Sequence, residues 1–271
     1  MIEKESGYIL HQKPFSETSV LLEVFTQNYG RISLIAKGAK RPKSVFKAHL
    51  FPFKLLSFSY VGKNELKTLT HVEVKSEEKI NYHSSNQAKQ WVFGLYLNEL
   101  IIRFLKKEDP YPEFFSEFDL GMRYLFNSDM ASQNVSSYKI SHPYFNQIIL
   151  RAIEIKLLTS IGYGIHFLKI SHSHQAIIEA EFYDYEPEKG FTPTQVVSNQ
   201  LPNNLSGEML FLMHELDLNH LEAFFQALEK SQIELNLFLR EAKKILRQSL
   251  DYHLGEKKLY TRELAKLGEC K

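Results

Sequence analysis

The chain has 271 residues, 44% apolar content and a formal net charge of +1, so it has enough apolar material for a folded core and suits two domains. Its one cysteine, Cys270, excludes an internal disulfide framework and a cysteine-based zinc site, which fits a reducing compartment. No basic leader precedes an apolar stretch, and no window approaches the length of a membrane span. We therefore expect an unexported, cytoplasmic protein.

Residues 1–80 have the pattern of short strands separated by turns. The candidate strands are residues 7–11, 19–26, 31–36, 50–61 and 66–75. Tight connections at Asn28-Tyr29-Gly30 and Gly62-Lys63-Asn64 predict two hairpins. Five short strands without a long helix between them are most economically closed as a small barrel of the oligonucleotide/oligosaccharide-binding (OB) type, although an SH3-like barrel would give much the same spacing.

The third of these strands alternates apolar and polar side chains. Its apolar positions are Ile32, Leu34 and Ala36. Its polar positions, counting the residue that follows the strand, are Arg31, Ser33 and Lys37. Because successive side chains of a strand point to opposite faces, this alternation predicts one core face and one basic face.

A basic stretch from residue 24 to residue 64 contains eight Lys or Arg and no Asp or Glu, although the whole chain is nearly neutral. A solvated sheet edge is the commoner explanation for a generic run of Lys. Because no carboxylate compensates the charge anywhere in this stretch, a surface that binds a phosphate backbone is favoured. The candidate phosphate-binding residues are Arg31, Lys37, Lys40, Arg41, Lys43 and Lys47. The nearest rings that could stack on unpaired bases are Phe15, Tyr29 and Phe46, although each ring taken singly is more typical of a core.

From about residue 86 the apolar period changes from two to about 3.6 residues, which predicts helices. The predicted helices are residues 87–105, 113–126 and 143–160, two shorter helices after Ser206 and Leu221, and a long helix that ends before Gly255. The spacing of Ser231 and Glu234 predicts a capping box at the start of the long helix. Residues 127–141 are rich in Ser, Asn and Gln and predict a mobile loop, and residues 168–193 predict irregular structure or short strands.

The sequence contains no recognisable catalytic motif: no phosphate loop, dinucleotide fingerprint, nucleophile elbow or HExxH pair is present. Asp184, Glu186 and Glu188 fit solvated turn residues better than the metal ligands of a nuclease. His172 and His174 could share a metal if their segment is a strand, but two surface histidines are the simpler interpretation. We therefore expect a binding protein without a cofactor, not an enzyme.

Two cations, Arg151 and Lys156, interrupt the otherwise apolar helix predicted at residues 143–160. A cation beside an apolar groove is what an acidic, hydrophobic peptide tail requires. An ordinary amphipathic helix with both cations in water fits the same pattern and is the simpler interpretation.

Four stretches of the chain carry more specific motifs. The first is residues 7–44, which include Glu-Thr-Ser at 17–19 and Gly-Arg-Ile-Ser-Leu-Ile-Ala-Lys-Gly-Ala at 30–39. The other three follow in order at residues 62–70, 151–163 and 252–264. Together they resemble the RecO family of bacterial recombination mediators, and the resemblance spans nearly the whole chain.

The resemblance implies an α+β protein, with a five-stranded OB-type β-barrel at residues 1–80 and a mainly α-helical domain at residues 81–271. It also implies a nucleoid-associated DNA repair and recombination protein, without catalytic activity, that binds single- and double-stranded DNA and anneals complementary strands. With the partner RecR it would help to load the recombinase RecA onto strands coated by single-stranded DNA-binding protein (SSB).

The same resemblance suggests where the partners bind. It assigns Arg31, Lys37 and Arg41 to the basic barrel motif. It assigns Arg151 to a motif of the helical domain, which would bind the acidic C-terminal tail of SSB, with Lys156 nearby. An RNA-binding or ribosome-associated barrel protein is the alternative that the basic surface alone leaves open.

The chain departs from the family in one respect. Many RecO proteins hold a four-cysteine zinc module where this chain has residues 165–193, and all four cysteines are absent here. We therefore expect this insertion, near residues 165–195, to fold without zinc. The side chains that could pack in place of the metal are Phe182, Tyr183, Tyr185 and Phe191.

Overall fold

The computed structural model describes residues 1–75, 87–170, 175–194 and 205–263. Its contacts form two compact units: Met1–Ala131 together with the stretch from Leu259 onward, and Ser132–Lys258. Within the described residues, no helix is both long and apolar enough to cross a membrane. The domain boundary expected at residue 80 stays a prediction.

A closed five-stranded barrel begins the first unit. Its strands are β1 (Ile2–Pro14), β2 (Val20–Thr26), β3 (Gly30–Ala36), β4 (Leu56–Val61) and β5 (Leu66–Val74). The order around the barrel is β1-β2-β3-β5-β4, with β1 pairing with both β2 and β4 and with β3 and β5 parallel. This order is that of the OB barrel, so the fold class expected from the sequence is confirmed.

The barrel interior is filled by the alternate apolar side chains of its strands. Leu22, Val24, Leu34, Leu56 and Phe58 are completely buried there. The predicted core face of β3 is confirmed, because Ile32, Leu34 and Ala36 all point into this cluster.

The fourth strand begins later than the sequence pattern predicts, at Leu56 and not at residue 50. Phe53 has a positive φ of 64°, which is incompatible with a regular strand. Its ring stacks on Phe126 at 4.7 Å between centroids and meets Trp91 edge-on at 5.3 Å. Burial of the Phe53 ring therefore stabilises a strained backbone conformation at this residue. That conformation interrupts the expected strand.

Two helices follow the barrel in the first unit: α1 (Gln87–Phe104) and α2 (Pro112–Phe126). Asn98 of α1 donates hydrogen bonds to the carbonyls of Ile9 and Leu10, and Asp119 of α2 accepts one of 2.6 Å from the Tyr8 hydroxyl. The connection between the helices lies along β3, where Glu108 N donates to Arg31 O at 2.9 Å.

The second unit contains most of the remaining helices. In chain order they are α3 (Ser128–Ser137), which starts within the first unit, α4 (His142–Ser160), α5 (Gly207–Glu215), α6 (Leu221–Lys230) and α7 (Leu235–Leu254). Ser206 caps α5 by accepting a hydrogen bond from Met209 N at 3.2 Å. The long helices α4 and α7 pack against each other, and both carry buried apolar side chains, among them Phe145 and Ile149 of α4 and Phe238 and Leu246 of α7.

Two expectations about these helices were wrong. Most of residues 127–141 form a helix, α3, and not a loop, and the Asn127 side chain accepts hydrogen bonds from Asp129 N and Met130 N at the helix start. Ser231 does not open α7 in a capping box. Its hydroxyl donates to Leu228 O at 2.8 Å and so closes α6, while α7 begins at Leu235 without a side-chain cap.

A small three-stranded sheet lies in and just beyond the segment that is expected to fold without zinc. Its strands are β6 (Phe182–Glu186), β7 (Gly190–Pro193) and β8 (Leu205–Ser206), in the order β7-β6-β8. Tyr183 and Phe191 are buried, Tyr185 meets Phe191 at 5.0 Å between centroids, and Phe182 is 41% exposed. Of the four aromatic residues considered for this role, Tyr183 and Phe191 are therefore buried and Tyr185 packs on Phe191, while Phe182 faces solvent.

A tight approach at Gly30 gives the first prediction. Gly30 has φ of +64°, and a Cβ there would overlap Asp109 O, so Gly30→Ala must strain the backbone and displace the connection between α1 and α2. We expect it to lower the free energy of unfolding by about 2–4 kcal/mol. Gly162→Ala is the control, since φ is +84° there but no atom lies within 4 Å, and we expect a loss of about 1 kcal/mol. Equal losses in urea unfolding would contradict the steric argument.

The small sheet gives the second prediction. We expect Phe191→Ala to lower the free energy of unfolding by about 3–5 kcal/mol because it empties a buried aromatic site, and Phe182→Ala to change it by less than about 1 kcal/mol. EDTA should leave the melting temperature of the unmodified protein unchanged. Stoichiometric zinc in elemental analysis of the purified protein, or a lower melting temperature in EDTA, would contradict the expected metal-free packing.

Candidate nucleic-acid interface

The connection between β3 and β4 is a cationic loop, defined here as residues 37–50, that is anchored by its own apolar residues. Ala39 lies in the barrel core, and Phe46 and Leu50 pack against that core. Short turns complete the loop, with Arg41 N donating to Gly38 O at 3.1 Å and Ser44 N donating to Arg41 O at 3.0 Å. Because these three apolar residues pack on the barrel, most of the intervening residues are directed outward.

Most of the exposed side chains of this loop are cationic. The exposed cations are Lys37, Lys40, Arg41, Lys43 and Lys47. Among the described residues none of these five forms an ion pair with a carboxylate, whereas Lys67, Lys107 and Lys156 all do. The loop therefore presents uncompensated positive charge to solvent, which is what an anionic polymer would bind.

Lys40 also connects the loop to the turn between β1 and β2. Its backbone N donates to Thr18 O at 2.9 Å, and its Nζ donates to Ser16 O at 2.7 Å. The turn is closed by a hydrogen bond of 3.1 Å from Phe15 N to Ser19 O. The turn and the cationic loop thus form one continuous surface at one end of the barrel.

Arg31, in contrast, lies in a shielded and compensated position. Its side chain is 12% exposed, its Nη1 donates to Ile102 O, and its Nε lies 3.9 Å from the Glu23 carboxylate. Burial lowers the pKa of Arg31, and the Glu23 charge acts in the opposite direction. The structure therefore does not group Arg31 with the exposed loop cations, and its role in binding stays a prediction.

Lys107 covers the outer face of β3 beside Arg31. Its Nζ donates to Ser33 Oγ at 2.9 Å and to Glu65 at 2.7 Å, and lies 3.4 Å from Glu23. The hydrogen bond to Glu65 raises the pKa of Lys107 and lowers that of Glu65. The outer face of β3 is thus an ion-pair network, and not the open basic face that the alternation predicts.

Sequence reasoning missed this network, although the predicted hairpin contained a signal for it. Glu23 lies one residue before the basic stretch, and in the β2–β3 register it pairs with Ser33. Arg31, two residues before Ser33 on the same face of β3, is therefore a diagonal neighbour of Glu23 and within reach of a long side chain. Including Glu23 in the charge count, and comparing residues that face each other across the predicted hairpin, would have indicated that Glu23 pairs with Arg31.

The three candidate rings have different environments. Phe46 packs against the barrel core, as the simpler interpretation predicts. Tyr29 is partly exposed and meets Tyr60 edge-on at 6.4 Å between centroids. Phe15 is 54% exposed at the turn that Lys40 joins to the cationic loop.

The two cations proposed for a peptide tail are both paired with carboxylates. Arg151 is buried and donates to Glu154 at 2.8 Å, and the Glu154 side chain has no exposed surface. Lys156 is partly exposed and donates to Asp217 at 2.6 Å. Burial raises the pKa of Asp217, but its hydrogen bonds from Lys156 and Asn219 outweigh this effect and leave the pKa below its usual value. Asp217 is therefore held as a carboxylate on Lys156.

The acidic residues of the β6–β7 hairpin do not form a metal site. Asp184, Glu186 and Glu188 are exposed, as expected for turn residues, and Glu186 pairs with Lys189. In the part of the chain that the structure describes, no three His, Cys, Asp or Glu residues are grouped as a metal site would require. His172 and His174 lie outside the described residues.

Comparison with known proteins identifies the family. The family descriptions "Recombination protein O N terminal" and "Recombination protein O C terminal" match residues 1–77 and 86–263. The protein named "DNA repair protein RecO" of Polynucleobacter necessarius is 32% identical over 263 residues, covering 97% of this chain and 95% of its own. The proteins of the same name from Thiobacillus denitrificans and Actinobacillus pleuropneumoniae are each 33% identical, covering 97% of this chain and 91% and 95% of their own. The chain belongs to the RecO family of DNA repair proteins.

Proposed function

We propose that this protein is a recombination mediator that binds single- and double-stranded DNA on the cationic loop and anneals complementary strands. With RecR it would help to load RecA onto strands coated by SSB. The role is non-enzymatic and is exercised in the cytoplasm, in association with the nucleoid. The observation that carries the proposal is the set of exposed loop cations beside an OB barrel, none of which forms an ion pair with a carboxylate among the described residues.

The geometry of the loop suits phosphate binding without sequence readout. Four of its five exposed cations are lysines, which act as point charges and do not fix the orientation of a base. Contacts of this kind bind any phosphate backbone and release counterions, so affinity falls with salt. The loop could therefore accept either DNA strand in any sequence.

Annealing follows from the same electrostatics. Two complementary strands repel each other through their phosphates, and this repulsion opposes the first base pairs. A surface that neutralises phosphates of both strands lowers the repulsion while it leaves the base edges free to pair. The protein therefore needs no catalytic group for this step.

We further propose that the acidic SSB tail binds near Lys156 of α4. Arg151 is less suited to direct contact because a tail carboxylate would have to replace Glu154 in a buried pair. Lys156 and Asp217 are partly exposed, so a tail carboxylate could exchange with Asp217 in water. This assignment differs from the sequence prediction, which placed Arg151 in the family's helical motif with Lys156 nearby.

The third prediction concerns the cationic loop. We expect Lys37→Ala/Lys43→Ala/Lys47→Ala to weaken binding of single-stranded DNA at least tenfold at low salt, and to reduce the slope of log K against log salt by about 2, because three phosphate contacts are lost. Annealing of complementary oligonucleotides precoated with SSB should fall in parallel. Fluorescence anisotropy and a strand-annealing assay provide the two measurements.

Matched variants test whether the loop itself is responsible. Lys139→Ala/Lys230→Ala/Lys257→Ala removes the same charge from exposed positions elsewhere and should leave affinity within about twofold of the unmodified protein. Arg31→Ala should lower stability by about 1–3 kcal/mol, since it removes the donor to Ile102 O and one of the two cations near Glu23, and should change affinity less than the loop variant does. Failure of the unmodified protein to bind DNA at low salt would overturn the proposal, and preferential binding of RNA would support the RNA-binding alternative.

The fourth prediction concerns the SSB tail. Asp217→Asn removes the competing carboxylate from Lys156 and should strengthen binding of a labelled SSB tail peptide about two- to fivefold, whereas Lys156→Ala should weaken it by a similar factor. Lys169→Ala, which removes an exposed cation from the same unit, is the control and should have no effect. Unchanged peptide affinity in both Asp217→Asn and Lys156→Ala would exclude this binding position.

A further inference from the structure

The turn between β1 and β2 combines an exposed aromatic ring with the cationic loop. We propose that Phe15 is a stacking platform for one unpaired base, so that this surface prefers single-stranded to double-stranded nucleic acid. The inference rests on the proposed function, because it assumes that the cationic loop binds a phosphate backbone. It adds a preference between single strands and duplexes, which the loop cations cannot provide because both forms present phosphates.

Exposure alone would not distinguish Phe15, since single exposed apolar side chains are common on protein surfaces. Its location does. Phe15 directly follows Pro14, the last residue of β1, and opens the turn whose carbonyls at Ser16 and Thr18 accept hydrogen bonds from Lys40. The turn that carries the ring is therefore hydrogen-bonded to the cationic loop through Lys40.

The turn also has little freedom to fold the ring away. Pro14 is paired with Val20 across the hairpin, and Phe15 N and Ser19 O close the turn at 3.1 Å. Inside the turn, Ser19 N donates to Ser16 Oγ at 3.2 Å. With both its ends and its interior hydrogen-bonded, the turn presents the ring to solvent at little further entropic cost on binding.

The ring and the cations recognise different parts of a strand. Phosphates are available in single strands and duplexes alike, so Lys37, Lys43 and Lys47 bind both. The face of a base is available to Phe15 only when that base is unstacked, as in a single strand. Cations and ring together therefore give affinity for both forms and a preference for the unpaired form.

The other two candidate rings do not offer this combination. Phe46 is committed to the barrel core, and Tyr29 lies at the opposite connection of the β2 strand, where it packs edge-on against Tyr60. Val45, which is 75% exposed within the cationic loop, has no aromatic face for a base. Val45 thus provides a matched apolar control for the ring.

The test compares single-stranded and duplex DNA of equal length at one salt concentration. We expect Phe15→Ala to weaken single-strand binding about tenfold, equivalent to about 1.4 kcal/mol, and duplex binding less than twofold. Phe15→Trp should retain the preference, and its added indole fluorescence should be quenched by single-stranded DNA and not by duplex. Val45→Ala should change neither affinity.

The outcomes separate this inference from the proposed function. If the unmodified protein binds both DNAs but Phe15→Ala weakens them equally, or weakens neither, the stacking platform is wrong while loop binding stands. If the unmodified protein binds neither DNA at low salt, the proposed function fails and the inference fails with it. Matching thermal unfolding curves for all variants are the control for folding.

Discussion

Burial of Ala39, Phe46 and Leu50 is the constraint on which the candidate interface depends. A loop carrying five exposed cations would repel itself and remain extended if its charges were the only influence on it. Packing of the three apolar side chains on the barrel core offsets that repulsion and fixes which residues face outward. The same hydrophobic core that closes the barrel therefore positions the positive charge.

The distribution of carboxylates separates structural cations from available ones. Glu23, Glu65 and Glu108 lie around the outer face of β3, where they pair with Arg31, Lys107 and Lys67. No described carboxylate pairs with the exposed cations of the loop. Two groups of basic residues that look alike in the sequence therefore differ in how an external anion would affect them. The first group is already neutralised by carboxylates of the fold. The second group is not, so binding an anion would lower its electrostatic free energy.

The sequence predicted the parts of the fold that are controlled by local periodicity and turn residues. The β2–β3 hairpin and helices α1, α2 and α4 agree with their patterns within a few residues. The errors arose where contacts distant in sequence decide the structure. Packing of Phe53 against α1 and α2 delays β4, and the partner of Ser231 is the end of one helix instead of the start of the next. The pairing of Arg31 with Glu23 depends likewise on the hairpin register, which a count along the chain does not include.

A nearly neutral protein can act on a highly charged polymer if its positive charge is concentrated locally. A net charge of +1 gives little long-range attraction, so binding must depend on a local surface within about one Debye length of the phosphates. A weak overall field also lets strands leave once they have paired, because release is opposed only by the few local contacts. A protein that anneals strands must bind the separate strands and then release the duplex. A small cationic surface on a neutral body, with the proposed stacking ring for unpaired bases, would satisfy both requirements.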